Sequence, residues 1–199
     1  MSTHELEAPL REEDILKLRA GDIVYLTGNL FTLRDQGHKK ALEDNTLEEG
    51  FFESNVVYHC GPIVQMSSKS NLESNSQSNS QSNSESNSHK IKSHKIISAG
   101  PTTSARMNKL TPAFIERFGV KAIIGKGGMN EEVANTLKGK AVYLAATGGC
   151  GALAAKKLQI RGVDWVELGT PEACWKLNAN KFGPLIVAID AEGKSINKQ

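Results

Sequence analysis

Apolar and polar residues fall into short runs whose period changes along the chain. Ile15, Leu16 and Leu18 stand among charges and predict a short helix over residues 12–20. Gly21-Asp22 marks a turn, and Ile23-Val24-Tyr25-Leu26-Thr27 predicts a strand ending at Gly28. The polar stretch from Arg34 to Leu42 predicts a helix, and Val56-Val57-Tyr58 a strand closed by Gly61-Pro62. From residue 96 the alternation becomes regular. Strands at 96–98, 120–124, 141–146, 163–168 and 185–189 are separated by predicted helices. Thr111 is expected to cap one helix, with Pro112 at its first position, and Gly119 stops it. Asn130 caps the next, with Glu131 and Glu132 in its first turn. Residues 151–158 and 171–177 complete the set. This order argues for an α/β fold with a largely parallel sheet in the C-terminal half. Ligand loops then belong at the carboxyl ends of strands, where Thr102, Lys126 and Thr147 fall.

One segment breaks the pattern. Residues 67–95 begin with near-dipeptides such as Asn75-Ser76-Gln77-Ser78 and end in a basic patch, His89 to Lys95. Such a tract cannot bury enough apolar surface to offset its ordering entropy, so a disordered loop inserted into one domain over residues 1–199 is expected. Loop entropy rises slowly with length, so the fold can carry it. The tract also explains a hydrophobic content of only 39%. A formal charge of +2 gives no electrostatic case for nucleic acid or a membrane surface. No apolar run approaches the ~18 residues of a membrane span. The polar start, Met1 to Arg11, has no secretory h-region. Cys60, Cys150 and Cys174 lie far apart without a Cys-x-x-Cys, so reduced thiols in the cytoplasm, and no metal site in this chain, are expected.

The candidate chemistry sits in two strings. Gly100-Pro101-Thr102-Thr103-Ser104-Ala105-Arg106-Met107 places hydroxyls and a guanidinium beside a Gly-Pro bend, and Gly125-Lys126-Gly127-Gly128 places a cation among glycines. Arg34 and Arg106 suit a carboxylate, because a guanidinium holds one through two parallel bonds; surface pairing with Asp35 or capping near Asn108 is the plainer alternative. Lys126 adds a point charge. Thr102, Thr103 and Ser104 suit an oxyanion or, equally, a hydroxyl turn. A threonine base needs a strongly altered environment, for which cationic neighbours are one route. His38, four residues after Arg34, shares its helix face and is a candidate to bond a substrate oxygen or to position Asp35. Gly148-Gly149-Cys150-Gly151 reads as a close-packed strand–helix turn rather than an anion site, and Trp165 and Trp175 as packing or subunit-contact residues.

These strings carry a resemblance. Gly21 to Gly28, Thr32 to Lys39, Ser98 to Met107, Gly125 to Met129 and Trp165 to Ala173 resemble, in order, the β subunit of two-subunit class I fumarase. The same family includes the C-terminal half of single-chain class I fumarases and the β subunit of L(+)-tartrate dehydratase. The resemblance implies a swivelling β/β/α domain and an iron–sulfur hydro-lyase that hydrates fumarate to L-malate. It implies a hetero-oligomer in which an α subunit holds a 4Fe–4S cluster through three cysteines, leaving this chain without metal ligands. It carries Arg34, Arg106 and Lys126 over as substrate-binding residues and Thr102 as the base for the carbon-bound proton. The tract at 67–95 departs from a usually short connection, and Gln36, Gly37 and Ala105 differ from common family residues. Thr170 stands where fumarases more often carry Met, which keeps tartrate and branched dicarboxylates open as substrates. The reading from another class is a non-catalytic anion-binding module.

Overall fold

The computed structural model describes residues 1–48, 50–66 and 94–196. In chain order the strands and helices are β1 (Thr3–Ala8), α1 (Glu12–Leu16), β2 (Ile23–Thr32), α2 (Asp35–Glu43), β3 (Val56–Tyr58), β4 (Ile63–Met66), β5 (His94–Ser98), α3 (Thr111–Phe118), β6 (Ala122–Gly125), α4 (Glu131–Leu137), β7 (Val142–Ala146), α5 (Gly151–Ala155), β8 (Leu158–Asp164) and β9 (Cys174–Ile189).

The two-residue period of the central strands separates two cores. Val56, Tyr58, Ala122, Ile124, Val142 and Leu144 join one apolar cluster, while the intervening Val57, Ile123 and Tyr143 join another. The strands close on themselves: β2, β3, β6 and β7 run parallel, β9 pairs antiparallel with β7, and β9 also pairs antiparallel with β2. The result is a five-stranded barrel, with β1 added on β2 and β8 on β9. The first cluster fills the barrel and extends to β1 and α1. The second lies between the barrel's outer face and α2, α3 and α4, through Ala41, Phe114, Ile115, Val133 and Leu137. Phe31 at the end of β2 stacks on Phe52 with ring centroids 4.2 Å apart, and both rings meet Phe114. This aromatic packing fixes the β2–α2 corner against α3.

The sheet is mixed, which narrows the expectation of a largely parallel C-terminal half. Residues 171–177 form no helix; 171–173 form a turn, and 174–177 belong with 185–189 to the 16-residue β9. Trp175, Leu177 and Ala179 are buried on a strand period, and β9 bonds β2 on one side and β8 on the other. Two ladders outweigh the helix pattern of one short segment. The strand expected at 163–168 lies earlier, and Val166–Leu168 form a 3-10 turn. β2 runs through Gly28 to Thr32 because β1 and β9 pair along it. Thr111 is the first residue of α3, its hydroxyl donating to Met107 O at 2.9 Å, while Asn130 caps α4 as expected by accepting from Val133 N. The expected loop at 67–95 is shortened at its end: His94 and Lys95 already belong to β5, and residues 67–93 lie outside the described residues. β4 and β5 are antiparallel with Met66 opposite His94, so the two ends bordering that tract are side by side. Among the described residues no helix is long and apolar enough to cross a membrane.

Candidate active site at one mouth of the barrel

The parallel strands end at the same mouth, and each hands the chain to a loop there. β2 delivers Arg34, β3 delivers His59 and Cys60, and β6 delivers Lys126. The loop after Gly100 is threaded between the last two. Thr102 N donates to His59 O at 2.7 Å, Lys126 N to Thr102 O at 3.1 Å, and Ser104 N to Lys126 O at 3.0 Å. Two backbone bonds therefore pin Thr102 and a third holds Ser104 beside it, while the Thr102 side chain remains half-buried, with no hydrogen-bond partner among the described residues. Glycine is required beside it, since a Cβ on Gly125 would overlap Ser104 Oγ.

The three cations meet different surroundings. Arg34 pairs with Glu172 at 3.3 Å, in a sheltered position where its side chain is 21% exposed. Glu172 also accepts from Gln36 N at 3.0 Å, tying the pair to the start of α2. Gly61 makes room for this guanidinium: a Cβ there would lie 2.9 Å from Arg34 Nη1 and 2.8 Å from Pro171 O. Arg34 Nε is buried without a partner. Arg106 pairs with Asp35, not with a local cap, and is half-exposed. Lys126 is exposed and has no acidic partner among the described residues. The arrangement offers two planar forks and a point charge around a hydroxyl, with two side-chain carboxylates that a dianion can replace.

Behind this front the polar groups are buried and uncharged. His38 is 1% exposed, and its Nδ1 lies 2.9 Å from Arg34 O. A carbonyl accepts only, so Nδ1 carries the proton. Burial lowers the His38 pKa to about 4, outweighing the opposing Arg34 carbonyl and Asp35 charge. The ring thus supports Arg34 from behind, and its burial replaces the direct substrate contact expected from its helical spacing. His59 is fully buried, and burial followed by the neighbouring His38 lowers its pKa well below the usual value. Ser104 is also fully buried and lies 2.8 Å from His59 Nδ1, which removes it from the candidate oxyanion donors. Its partner His59 was not singled out by sequence reasoning. The one available sign is an imidazole in the otherwise apolar run Val56-Val57-Tyr58-His59-Cys60. Glu172 likewise acquires a role only when β9 brings it to Arg34.

Among the described residues no group of three or more His, Cys, Asp or Glu side chains is placed to hold a metal ion. Cys60 and Cys174 are buried thiols, and burial pushes Cys60 up to about 12 and Cys174 higher still. A cluster needs convergent thiolates, so these residues do not fit an iron–sulfur group. Gly151 O accepts from Ala99 N at 2.9 Å and its turn packs on Ser98 and Gly100, the close-packed arrangement expected there. Trp175 is buried and Trp165 stacks on Phe51, both as packing residues. An apolar cavity of about 300 Å³ lies beyond Pro101, lined in part by Tyr58, Cys150, Leu153 and Phe182; Arg34, Thr102, Arg106 and Lys126 do not border it.

The family model described as "Fumarase C-terminus" matches residues 2–79 and 87–199. A Methanocaldococcus jannaschii protein provisionally named L(+)-tartrate dehydratase subunit beta is 41% identical over 198 residues, covering 96% of this chain and 89% of that protein. The L(+)-tartrate dehydratase subunit beta of Escherichia coli K12 is 36% identical, covering 96% and 85%. A Geobacillus stearothermophilus protein provisionally named fumarate hydratase class I is 32% identical, covering 97% of this chain but 33% of its own longer one.

Proposed function

The chain belongs to the fumarase C-terminus family, and on that premise we propose that it is the β subunit of a hydro-lyase that reversibly hydrates fumarate to L-malate. The observation that carries this reading is the placement of Arg34, Lys126 and Thr102 on loops at one barrel mouth, with Arg106 joined to them through Asp35. The arginines exchange Asp35 and Glu172 for the two substrate carboxylates, and Lys126 adds charge. Thr102, as its alkoxide, takes the carbon-bound proton in dehydration and returns it in hydration; the hydroxyl group leaves as water with a proton from an acid of the α subunit. The cations lower the cost of the carbanion-like charge that proton removal creates. His38 holds the Arg34 carbonyl.

The cluster belongs to the partner in this reading, since the residues here do not fit it. The partner is an α subunit with three cluster cysteines, the complex is cytoplasmic, and this domain swivels to close over substrate. The chain works as one unit, and the tract at 67–95 takes no part in the reaction. L(+)-tartrate is the second substrate reading, favoured by the two near full-length relatives named for tartrate dehydratase. The test is reconstitution with the α subunit under anaerobic conditions, comparing kcat/KM for fumarate, L-malate, L(+)-tartrate and mesaconate. The chain alone is expected to be inert and the complex to favour fumarate and L-malate. Preference for tartrate transfers the assignment to the second reading, and full activity from this chain alone sinks both.

A further inference from the structure

His59 touches the Thr102 segment twice. Its carbonyl accepts from Thr102 N at 2.7 Å, and its ring nitrogen Nδ1 lies 2.8 Å from Ser104 Oγ, two residues further on. Its own N–H donates to Ile124 O at 2.8 Å, which ties it to β6. One residue at the end of β3 therefore grips the loop on both sides of Thr103 and anchors it to the neighbouring strand. The grip is closed by Gly125, whose missing side chain is the space that Ser104 Oγ occupies.

Packing alone does not account for an imidazole here. The second ring nitrogen, Nε2, is buried without a hydrogen-bond partner, an arrangement that costs stability because the donor or acceptor has given up water for nothing. An apolar side chain would avoid that cost at Nε2, while giving up the bond to Ser104 and the imidazole's contact with His38. The His59 ring also meets the His38 ring edge-on, with centroids 5.1 Å apart, and His38 in turn holds the Arg34 carbonyl. Uncharged groups thus link the Arg34 corner to the Thr102 loop through the interior.

We infer that His59 and Ser104 are positioning residues for Thr102, setting the direction of its hydroxyl toward the carbon whose proton it transfers. The inference rests on the functional reading above. Neither side chain touches substrate; both act through the loop that carries Thr102. The pair matters because a misplacement of about 1 Å can cost on the order of 100-fold in rate.

The test uses the assembled two-subunit complex. Ser104→Ala and His59→Leu are expected to lower kcat roughly 10- to 100-fold with KM within about 3-fold of wild type. His59→Asn, which keeps a polar atom near the Nδ1 position, recovers most of that loss. In a Thr102→Ala background, adding Ser104→Ala costs less than about 3-fold more, because residues acting through one another are not additive. Should His59→Leu fail to fold, Ser104→Ala, a one-oxygen deletion, carries the test. In the full chain without its partner, Ser104→Ala should speed amide exchange of Thr102 and Lys126 about 10-fold and leave Leu144 unchanged. A loss borne by KM, additive losses in the double variant, or unchanged exchange overturns the inference. A wild-type complex inert on every dicarboxylate overturns the functional reading and the inference together; an active wild type with an equally active Ser104→Ala overturns the inference alone.

Discussion

The two ends of the barrel use the same polar chemistry to opposite effect. At the closed end Asp190 is fully buried, and its oxygens accept from Ala20 N, Glu192 N and Lys194 N at 2.9 to 3.1 Å. Asp22, at the same end, accepts from Ser2 N and Arg19 N and meets His4. Backbone amides are fixed donors, so these side chains have no capacity left for a ligand. At the open mouth Arg106 and Arg34 are held only by the side chains of Asp35 and Glu172, and Lys126 by no acid among the described residues. The half-exposed Arg106–Asp35 pair is worth about 0–1 kcal/mol, so a carboxylate displaces it at little cost, while the sheltered Arg34–Glu172 pair is held more firmly. A polar cluster satisfied by backbone holds the fold together; one satisfied by movable side chains is ready to bind.

The largest break in this contrast is expected at Thr102. Thr102→Val removes the hydroxyl while keeping the shape, and kcat of the complex should fall about 100- to 10,000-fold, the usual worth of a general base. A folded, assembled variant with undiminished kcat contradicts the role of Thr102.

The second test separates the two ends by pH. His38 has a folded-state pKa of about 4 against an ordinary 6.5. The unfolded chain therefore takes up the proton first, and stability falls as pH drops from 6.5 toward 4, by on the order of 3 kcal/mol for this group. Asp22 is also shifted down, for a different reason: the Ser2 amide, followed by the Arg19 amide and His4, holds its pKa below the ordinary 3.8 despite burial. Its contribution is present above 3.8 and is lost only as pH falls through its lower folded value. Urea titrations across pH should show two separate windows; His59, also held below the usual value, shares the upper one, so His38→Gln should shrink the upper window and leave the lower one unchanged.

Asp190→Asn gives a smaller effect of a different kind. Replacing one acceptor oxygen by an amide group opposes donors already in place and should cost about 1–3 kcal/mol of stability. Activity per folded complex should stay at the wild-type value; a selective loss of kcat would place function at the closed end. The smallest effect belongs to the tract. Met66 already faces His94 across the β4–β5 pair, so replacing residues 67–93 with a short turn should leave Tm and kcat/KM unchanged.

The strings at the mouth are legible in the sequence because strand ends, glycines and cations coincide there: Arg34 after β2, Thr102 after the Gly-Pro bend, Lys126 after β6. Capping by Asn130 and termination at Gly119 are legible for the same local reason. What is not legible is non-local. Asp35 meets Arg106 across 71 residues, and His59 meets Ser104 across 45. β9 hides in a stretch resembling a helix followed by a strand, because the ladders to β2 and β8 that decide the matter come from distant segments. β1 escapes notice because its polar residues alternate with only two buried apolar ones, Leu6 and Ala8, and its pairing with β2 supplies the rest.

The central claim is that the cations at the mouth hold the substrate's carboxylates in two-point contact. Its most direct test is kcat/KM of the assembled complex carrying Arg106→Lys, which keeps the charge and removes the planar fork. The account predicts a fall of roughly 10- to 100-fold, the worth of the lost charge-assisted hydrogen bonding. A value equal to wild type would contradict it.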